Sequence, residues 1–350
     1  MKRATSLIAF GLAGIAMSSG NLGAQSAIEH GEDWPNWAYG WLEPLNDSHP
    51  VSLPCPLDAN PRSCRNPSTP VPDDGIKHTL PGAAGAYTRN EANDGWGPAD
   101  WYPEDHPPMP EVVARGKPSA GVRACGLCHY PNGQGKMENA HVAGLPVNYF
   151  LAQLDAFENG DRHSADVRKE NTNEMARMPH GLTDEEKREI AEYFASMPFR
   201  PWIREVIETD MVPQVHAAGG LMVPLDDAPL MPLGNRIIEI PEDRERMETM
   251  RDPRTGFITY VPIGSIAKGE ELVTTGAGKT IQCSLCHGPG MQGLGDIPGI
   301  AGRTASYSMR QLWDLKQGTR RSSGIMEPVV QNLTSEDMLN IVAYLATLPP

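Results

Sequence analysis

Apolar residues recur along this chain at helical spacing, and they do so in two segments that look alike. The inward-facing residues of the two predicted helices are Tyr149, Gln153, Leu154 and Phe157 in the first segment, and Tyr307, Gln311, Leu312 and Leu315 in the second. Each of these helices ends at a glycine, Gly160 or Gly318, which is the residue that helix C-termini favour. The pattern therefore predicts the same helix twice.

A second pair of predicted helices closes the two segments. The first begins at Thr183, with Glu186 three positions later, which is the sequence of a capping box. Its counterpart begins at Thr334. The apolar faces of the closing helices are Ile190, Tyr193, Phe194 and Met197, and Met338, Ile341, Tyr344 and Leu345. These stripes predict core packing in two small helical domains.

The two segments are copies of one repeat. Arg162 aligns with Arg320 at an offset of 158 positions, which is constant over about forty residues. The offset then falls to 151, so that Met175 aligns with Met326, because the first copy has seven extra residues after Arg162. We therefore predict two tandem domains of the same fold.

We divide the chain at the limits of this repeat. The predicted segments are residues 1–27, 28–110, 111–198, 199–262 and 263–350, named the leader, the extension, the first copy, the connector and the second copy. The extension is rich in proline and holds five of the seven tryptophans, which argues against a disordered tail. We expect it to wrap the helical domains irregularly or to form a docking surface for a partner protein. In the connector, residues 236–240 and 256–261 predict two short strands that pair as a ribbon.

The leader has the order of a secretory signal peptide. Lys2 and Arg3 precede an uncharged apolar run from Leu7 to Met17, and small residues follow it. The run is too short for a spanning helix, which needs about 20 residues, although an uncleaved membrane anchor stays open as an alternative. We expect export to the periplasm. The formal net charge of −14 argues against nucleic acid as a partner.

Two cysteine motifs carry the candidate chemistry. They are Cys125-Gly126-Leu127-Cys128-His129 and Cys283-Ser284-Leu285-Cys286-His287, and both match the attachment signature of haem c. Thiols three positions apart reach the two vinyl groups on one porphyrin edge, and the histidine that follows can bind the iron. We therefore predict two covalent haem c groups, with thioether bonds and axial imidazoles from Cys125, Cys128, Cys283, Cys286, His129 and His287.

Two other uses of paired cysteines fit the sequence less well. The cysteine pairs of a zinc ribbon stand about 15–20 residues apart, whereas these two pairs stand 158 apart. A thiol–disulfide oxidoreductase places its motif in a strand–helix context that neither motif has here. Both alternatives are therefore disfavoured.

Each predicted iron needs a ligand on the side opposite its histidine. Met175 and Met326 align, and each stands seven residues before the Leu-Thr that opens the closing helix. A thioether ligand at this position raises the reduction potential of the iron. We predict Met326 as the ligand in the second copy and Met175 in the first. The alternatives that stay open in the first copy are Met178, His141, His163 and His180.

Cys55 and Cys64 stand alone in the extension. Because they lie close in sequence in a chain that we expect to be exported, we predict a disulfide that closes a short loop. A free reactive thiol and a cysteine ligand to iron are the alternatives.

The order of these motifs resembles class I cytochrome c. In the second copy, the cysteine motif is followed by Pro-Gly-Ile-Ala-Gly at 298–302, by Met326 and by a final helix that ends Ala-Tyr-Leu-Ala-Thr-Leu-Pro. The tandem arrangement is similar to two-haem cytochromes of the c-four type. The resemblance implies His/Met ligation of both irons, and a backbone carbonyl at Pro298 that orients His287. Ala140 stands at the matching place in the first copy.

The predicted fold class is therefore all-α, with two class I cytochrome c domains in tandem, an irregular extension and a connector that contains a short β-ribbon. The resemblance covers about half of the chain and implies electron transfer. We expect periplasmic or membrane redox proteins as partners, with a dehydrogenase or quinol-oxidising complex as donor and a terminal oxidase or reductase as acceptor.

Three alternatives to a simple electron carrier stay open. A two-haem peroxidase would need one iron with an open or displaceable sixth site. An enzyme of the thiosulfate dehydrogenase type would use an unusual iron ligand such as cysteine. A cytochrome subunit of a larger dehydrogenase complex would use the extension as its tether.

Overall fold

The computed structural model describes residues 30–44, 75–218, 220–225, 227, 229–321 and 324–350. The predicted signal peptide and the predicted disulfide between Cys55 and Cys64 lie outside the described residues. No helix of the described part is long and apolar enough to cross a membrane.

Helices dominate both copies of the repeat. The α-helices of the described residues are α1 (Arg89–Ala92) in the extension; α2 (Glu111–Arg115), α3 (Cys125–His129), α4 (Val147–Glu158), α5 (Glu170–Met175) and α6 (Asp184–Ala195) in the first copy; and α7 (Ser265–Thr275), α8 (Ser284–His287), α9 (Ala305–Lys316), α10 (Met326–Val330) and α11 (Ser335–Thr347) in the second. Helices α3 to α6 correspond in order to α8 to α11. The sequence repeat is therefore also a structural repeat.

Short helical turns connect these elements. Within the described ranges, the 3₁₀ turns are Asn36–Tyr39, Pro103–Asp105, Pro118–Ala120, Met178–Gly181 and Pro289–Met291, and a π-helical turn spans Glu245–Thr249. The turn Met178–Gly181 leads into α6 and begins at one of the candidate iron ligands of the first copy.

The predicted start of each closing helix is confirmed. The Thr183 hydroxyl accepts a hydrogen bond from the Glu186 N–H at 3.2 Å, and the Glu186 carboxylate accepts one from the Thr183 N–H at 2.7 Å. Thr334 and Asp337 form the same capping box at the start of α11. A cap of this kind stabilises a helix by about 1 kcal/mol, so the sequence fixes where both closing helices begin.

The connector is a β-structure. Its strands are β1 (Ile203–Glu208), β2 (Met211–Pro213), β3 (Val215–Ala218), β4 (Leu221–Pro224), β5 (Leu230–Pro232), β6 (Ile238–Pro241) and β7 (Phe257–Val261), and the second copy adds β8 (Gly293–Leu294) and β9 (Ile297–Pro298). Strands β6 and β7 are antiparallel, with Ile238 opposite Tyr260, which confirms the predicted ribbon.

The all-α prediction is only approximate. Strand β1 adds to β7 in parallel, which gives a three-stranded sheet in the order β1-β7-β6, and β2 pairs with β5 and β3 with β4. The sequence of β1, Ile-Arg-Glu-Val-Ile-Glu, lacks the regular alternation of a half-buried strand. Its place in the sheet comes from pairing with a strand far along the chain, which local sequence does not reveal.

The extension packs into the second copy, as expected of a wrap. Trp34 and Trp37 are buried in the core cluster that includes helices α9 and α11, and the Trp34 ring meets Trp313 edge-on at 5.5 Å between centroids. Farther along the extension, the Trp101 indole donates a hydrogen bond to the Met250 carbonyl at 2.8 Å. The extension is therefore tied to both the second copy and the connector.

The two copies meet through the segments that follow α4 and α9. Arg162 and Arg320 form an antiparallel bridge. The His163 N–H donates to the Thr319 carbonyl at 2.9 Å, and the Arg321 N–H donates to the Asp161 carbonyl at 2.8 Å. Because Arg162 and Arg320 are equivalent in the repeat, the contact uses matching residues from both sides.

The connector also holds the start of α9. Glu239 lies on β6, and its carboxylate accepts hydrogen bonds from the N–H groups of Ala305 and Ser306 at 2.7 and 2.9 Å. The first N–H groups of a helix have no partner within the helix and favour negative charge. Glu239 therefore supplies both the missing acceptor and the favourable charge.

Candidate functional site

Both cysteine motifs lie on short helices. Cys125 and Cys128 are one helical turn apart on α3, and Cys283 immediately precedes α8, which contains Cys286. None of these four cysteines is in a disulfide. Burial raises the pKa of the Cys125 thiol to about 12 and that of Cys283 to about 11. A reactive dithiol needs a lowered pKa, so these values argue further against thiol–disulfide exchange.

A backbone carbonyl orients the histidine of each motif. His129 Nδ1 lies 2.8 Å from the Ala140 carbonyl oxygen, and His287 Nδ1 lies 2.8 Å from that of Pro298. The carbonyl can only accept, so Nδ1 carries the proton and Nε2 keeps the lone pair that a metal needs. The contact expected at Pro298 is present, and Ala140 makes it at the same distance. Burial lowers the pKa of both histidines, which favours the neutral imidazole.

A cavity of about 1010 Å³ opens above the motif of the first copy. Cys125, Cys128 and His129 line one part of it, and Met175 and Met178 line another. The apolar part of its wall includes Phe150, Leu154, Ile190 and Phe194. The lining suits a flat, largely apolar group that is held by two sulfurs and one imidazole.

The histidine alternatives in the first copy are placed differently from one another. His141 is buried away from the cavity, with Nδ1 bonded to the Gln134 carbonyl and Nε2 at 3.1 Å from the Thr304 hydroxyl. His180 is exposed. His163 lines the cavity together with Met175 and Met178. Both nitrogens of His141 are engaged, so its ring has no free lone pair for iron.

In the second copy, Met326 and the attachment motif pack against the same core. Met326 begins α10 and packs, half-buried, against the core of the second copy, as Cys283 does. His287 is buried beside the same motif. The predicted thioether and the predicted attachment cysteine therefore border one core.

Comparison with known proteins identifies the family to which this chain belongs. The family model for cytochrome c matches residues 113–198 and 266–349. Cytochrome c-554(548) of Halomonas halodenitrificans is 33% identical over 84 residues, which are 23% of this chain and 93% of that protein. The chain belongs to the cytochrome c family.

Two further relatives cover different shares of this cytochrome. Cytochrome c4 of Pseudomonas aeruginosa is 25% identical over 244 residues, which are 67% of this chain and 88% of that protein. A Stutzerimonas stutzeri protein described as a thiosulfate dehydrogenase electron acceptor is 34% identical over 87 residues, or 24% of this chain and 40% of that protein. With two cytochrome c domains, as in cytochrome c4, the chain carries two covalently attached haem c groups.

Buried arginines between the copies fit the acidic groups of haem c. Arg162 lines the cavity and donates to the side-chain oxygens of Gln153 and Gln311, at 2.8 Å each. Arg320 donates to the Tyr149 hydroxyl at 2.7 Å, and its Nε is buried with no hydrogen-bond partner among the described residues. A buried charge needs a partner. Each haem c carries two propionates, which are groups of the required sign.

The same arginines act on Tyr307. Burial by itself would raise the pKa of the Tyr307 phenol, but the charges of Arg162, Arg320 and Arg303 outweigh burial and lower it. Three buried arginines thus act together on one phenol. Arg162 and Arg320 align in the repeat, but this role was not predicted from the sequence. The sequence signal that could have indicated these arginines is a Gly-x-Arg pattern that occurs in both copies, at Gly160–Arg162 and at Gly318–Arg320.

The two copies differ in character at four positions around the haem-attachment motif, which we call the haem-edge ring. In the first copy all four positions line the cavity, and they are Arg123, Leu127, Lys136 and Glu174. The positions that align with them in the second copy are Ile281, Leu285, Leu294 and Ile325. Three charged residues in one copy are thus replaced by aliphatic residues in the other.

The ring of the first copy is covered. Leu127 is 3% exposed, and Lys136 is 5% exposed. Arg251 of the connector donates to the Leu127 carbonyl at 2.7 Å and to the Asn93 side chain of the extension at 2.6 Å. Arg123 and Glu174 form an ion pair at 2.9 Å. The connector and the extension therefore close over the haem edge of the first copy.

Proposed function

We propose that this cytochrome is a periplasmic electron carrier that transfers single electrons between respiratory or dehydrogenase partners. When bound, the two haems would supply one-electron ferric/ferrous couples, which is the chemistry that single-electron transfer needs. We propose that Cys125, Cys128, Cys283 and Cys286 form the thioether bonds. We further propose that His129 with Met175, and His287 with Met326, bind the two irons.

The observation that carries this proposal is the equivalence of the two sites. In each copy a backbone carbonyl leaves the histidine Nε2 available for iron, and a methionine stands at the same place in the repeat. An iron with imidazole on one side and thioether on the other has no open position for a substrate. Two such irons support electron transfer rather than peroxide chemistry.

The relatives support the class of partner. The Stutzerimonas stutzeri relative is described as the electron acceptor of a thiosulfate dehydrogenase, which supports a dehydrogenase as a donor to this cytochrome. Attachment of haem c and the predicted signal peptide support a periplasmic location. A terminal oxidase or reductase then completes the path as acceptor.

Spectroscopy of the purified two-haem protein tests the proposal. We expect optical and magnetic spectra of two low-spin His/Met irons that are unchanged by cyanide or peroxide. Replacement of Met326 by Ala should convert one of the two irons to a form that binds cyanide. A wild-type protein with a high-spin iron that binds cyanide or turns over peroxide would contradict the proposal and favour an enzyme.

A further inference from the structure

The haem-edge ring of the second copy is exposed and apolar. Ile281 is 49% exposed, Leu285 is 67%, Leu294 is 58% and Ile325 is 70%. Leu285 lies between the two cysteines of the motif, and Ile325 immediately precedes Met326. Large aliphatic side chains with this exposure, grouped around one motif, are typical of a surface that binds another protein.

Charged residues flank this ring in the sequence, since Lys279, Asp296 and Glu327 each stand two residues from a ring position. Lys279 forms an ion pair with Asp337 at 2.7 Å, and Lys268 forms one with Glu336 at 3.1 Å. The four ring positions themselves carry no charge. A protein that binds here must therefore match the apolar side chains of the ring.

The equivalent ring of the first copy has the opposite properties. Three of its four residues are charged, and its leucine is 3% exposed beneath Arg251. A protein partner could reach this haem edge only by displacing the connector and the extension. The difference lies between equivalent positions of one repeat, so it does not follow from the fold alone.

We propose that redox proteins dock on the haem-edge ring of the second copy, and that the haem of the first copy exchanges electrons with them only through the second haem. The partner is a redox protein whose own cofactor edge lies in an apolar surface. This inference rests on the proposed electron-transfer function. In each encounter one electron crosses the contact, so that the iron of one protein is oxidised and the iron of the other is reduced.

Electron exchange between reduced and oxidised copies of this protein provides the test, because a second copy presents a ring of the required chemistry. The bimolecular rate is the part of the exchange broadening of haem methyl NMR signals that grows with protein concentration. The measurement is made at high ionic strength, where long-range repulsion between the acidic molecules is screened.

The informative variant is the double replacement Leu285→Asp with Ile325→Asp. We expect the bimolecular rate to fall roughly tenfold or more, because like charges and unpaired carboxylates would face each other in the contact. The matched control is Leu230→Asp on β5, where an equally exposed leucine (60%) lies outside the ring. This control should keep the wild-type rate. Oxidation by a small neutral quinone should be unchanged in both variants, which shows that the second haem is intact.

The outcomes distinguish a failure of the single docking surface from a failure of the proposed electron-transfer function. If the first copy has its own docking surface, contacts between two first copies survive in the double variant, so the bimolecular rate falls by clearly less than the expected tenfold, and that result overturns the single docking surface alone. A double variant that matches Leu230→Asp overturns it as well. A wild-type protein that exchanges no electrons and binds cyanide would overturn the proposed function together with this inference.

Discussion

At the scale of single residues, two methionines border the same cavity. Met175 packs half-buried against the core of the first copy, and Met178 lines the same cavity from the turn that precedes α6. Only Met175 aligns with Met326 of the second copy. Repeat equivalence therefore favours Met175, although the seven extra residues lie just before it.

Replacement of Met175 by Ala should open the iron of the first copy. We expect loss of one low-spin His/Met spectrum, binding of cyanide, and a lower reduction potential for that haem, because the thioether stabilises ferrous iron. Met178→Ala is the matched control and should keep both His/Met spectra. If Met178→Ala opened the site while Met175→Ala did not, the ligand assignment would be reversed.

At the scale of elements, the connector acts as part of the second domain. Glu239 reaches from β6 to the first N–H groups of α9 and also accepts from the Ser306 hydroxyl at 2.5 Å. The carboxylate is buried, at 2% exposure. A buried acceptor of this kind links the folding of the sheet to that of the helix.

Replacement of Glu239 by Gln should lower the free energy of unfolding by roughly 2 kcal/mol, because hydrogen bonds to a charged acceptor are replaced by weaker ones. Urea unfolding of the two-haem protein, followed by circular dichroism, measures the loss. Glu242→Gln is the control, since Glu242 makes only a partly exposed ion pair with Arg204. Equal losses of unfolding free energy in the two variants would show that the contact of Glu239 with α9 adds nothing to stability.

Local sequence patterns predicted the elements that carry their own signals. The capping boxes at Thr183 and Thr334 mark where α6 and α11 begin, and β-branched and aromatic residues mark β6 and β7. Strand β1 was missed because half of its residues are charged and its partner β7 lies far away in sequence. Elements that depend on distant pairing leave little trace in a single segment.

At the scale of the whole molecule, His141 lies at the contact between the two copies. Its ring stacks on Phe199 at 5.1 Å between centroids, and its carbonyl accepts from Arg303 at 2.7 Å. Burial, and then the charge of Arg303, lower the pKa of His141 to about 3. The unfolded chain therefore binds a proton below about pH 6.5 that the folded protein does not take up until about pH 3.

Stability should accordingly fall as the pH falls through this window. The contribution of His141 to the loss is about 1.4 kcal/mol per pH unit. Replacement of His141 by Gln, which has no titrating group, should flatten the acid side of the stability curve relative to wild type. Urea unfolding at pH 7, 5 and 4 compares the two slopes, and parallel slopes would contradict the prediction.

The accessibility of the two haem-attachment motifs could not be predicted from the sequence. Leu127 and Leu285 are the same residue at the same place in the same motif, yet one is 3% and the other 67% exposed. Arg251, which lies far along the chain in the connector, donates a hydrogen bond to the Leu127 carbonyl of the first motif. The chemistry of both sites was readable from the motifs, whereas their accessibility depends on how the extension and connector fold back.

That unequal covering has a kinetic consequence. A molecule with one reachable haem cannot hold its donor and its acceptor at the same moment, so the two must visit in turn. Steady-state turnover should then follow a double-displacement scheme, in which an excess of either the donor or the acceptor inhibits the reaction of the other. Reduction of both haems also requires two successive encounters with the donor. Between them, the first electron must pass from the haem of the second copy to that of the first.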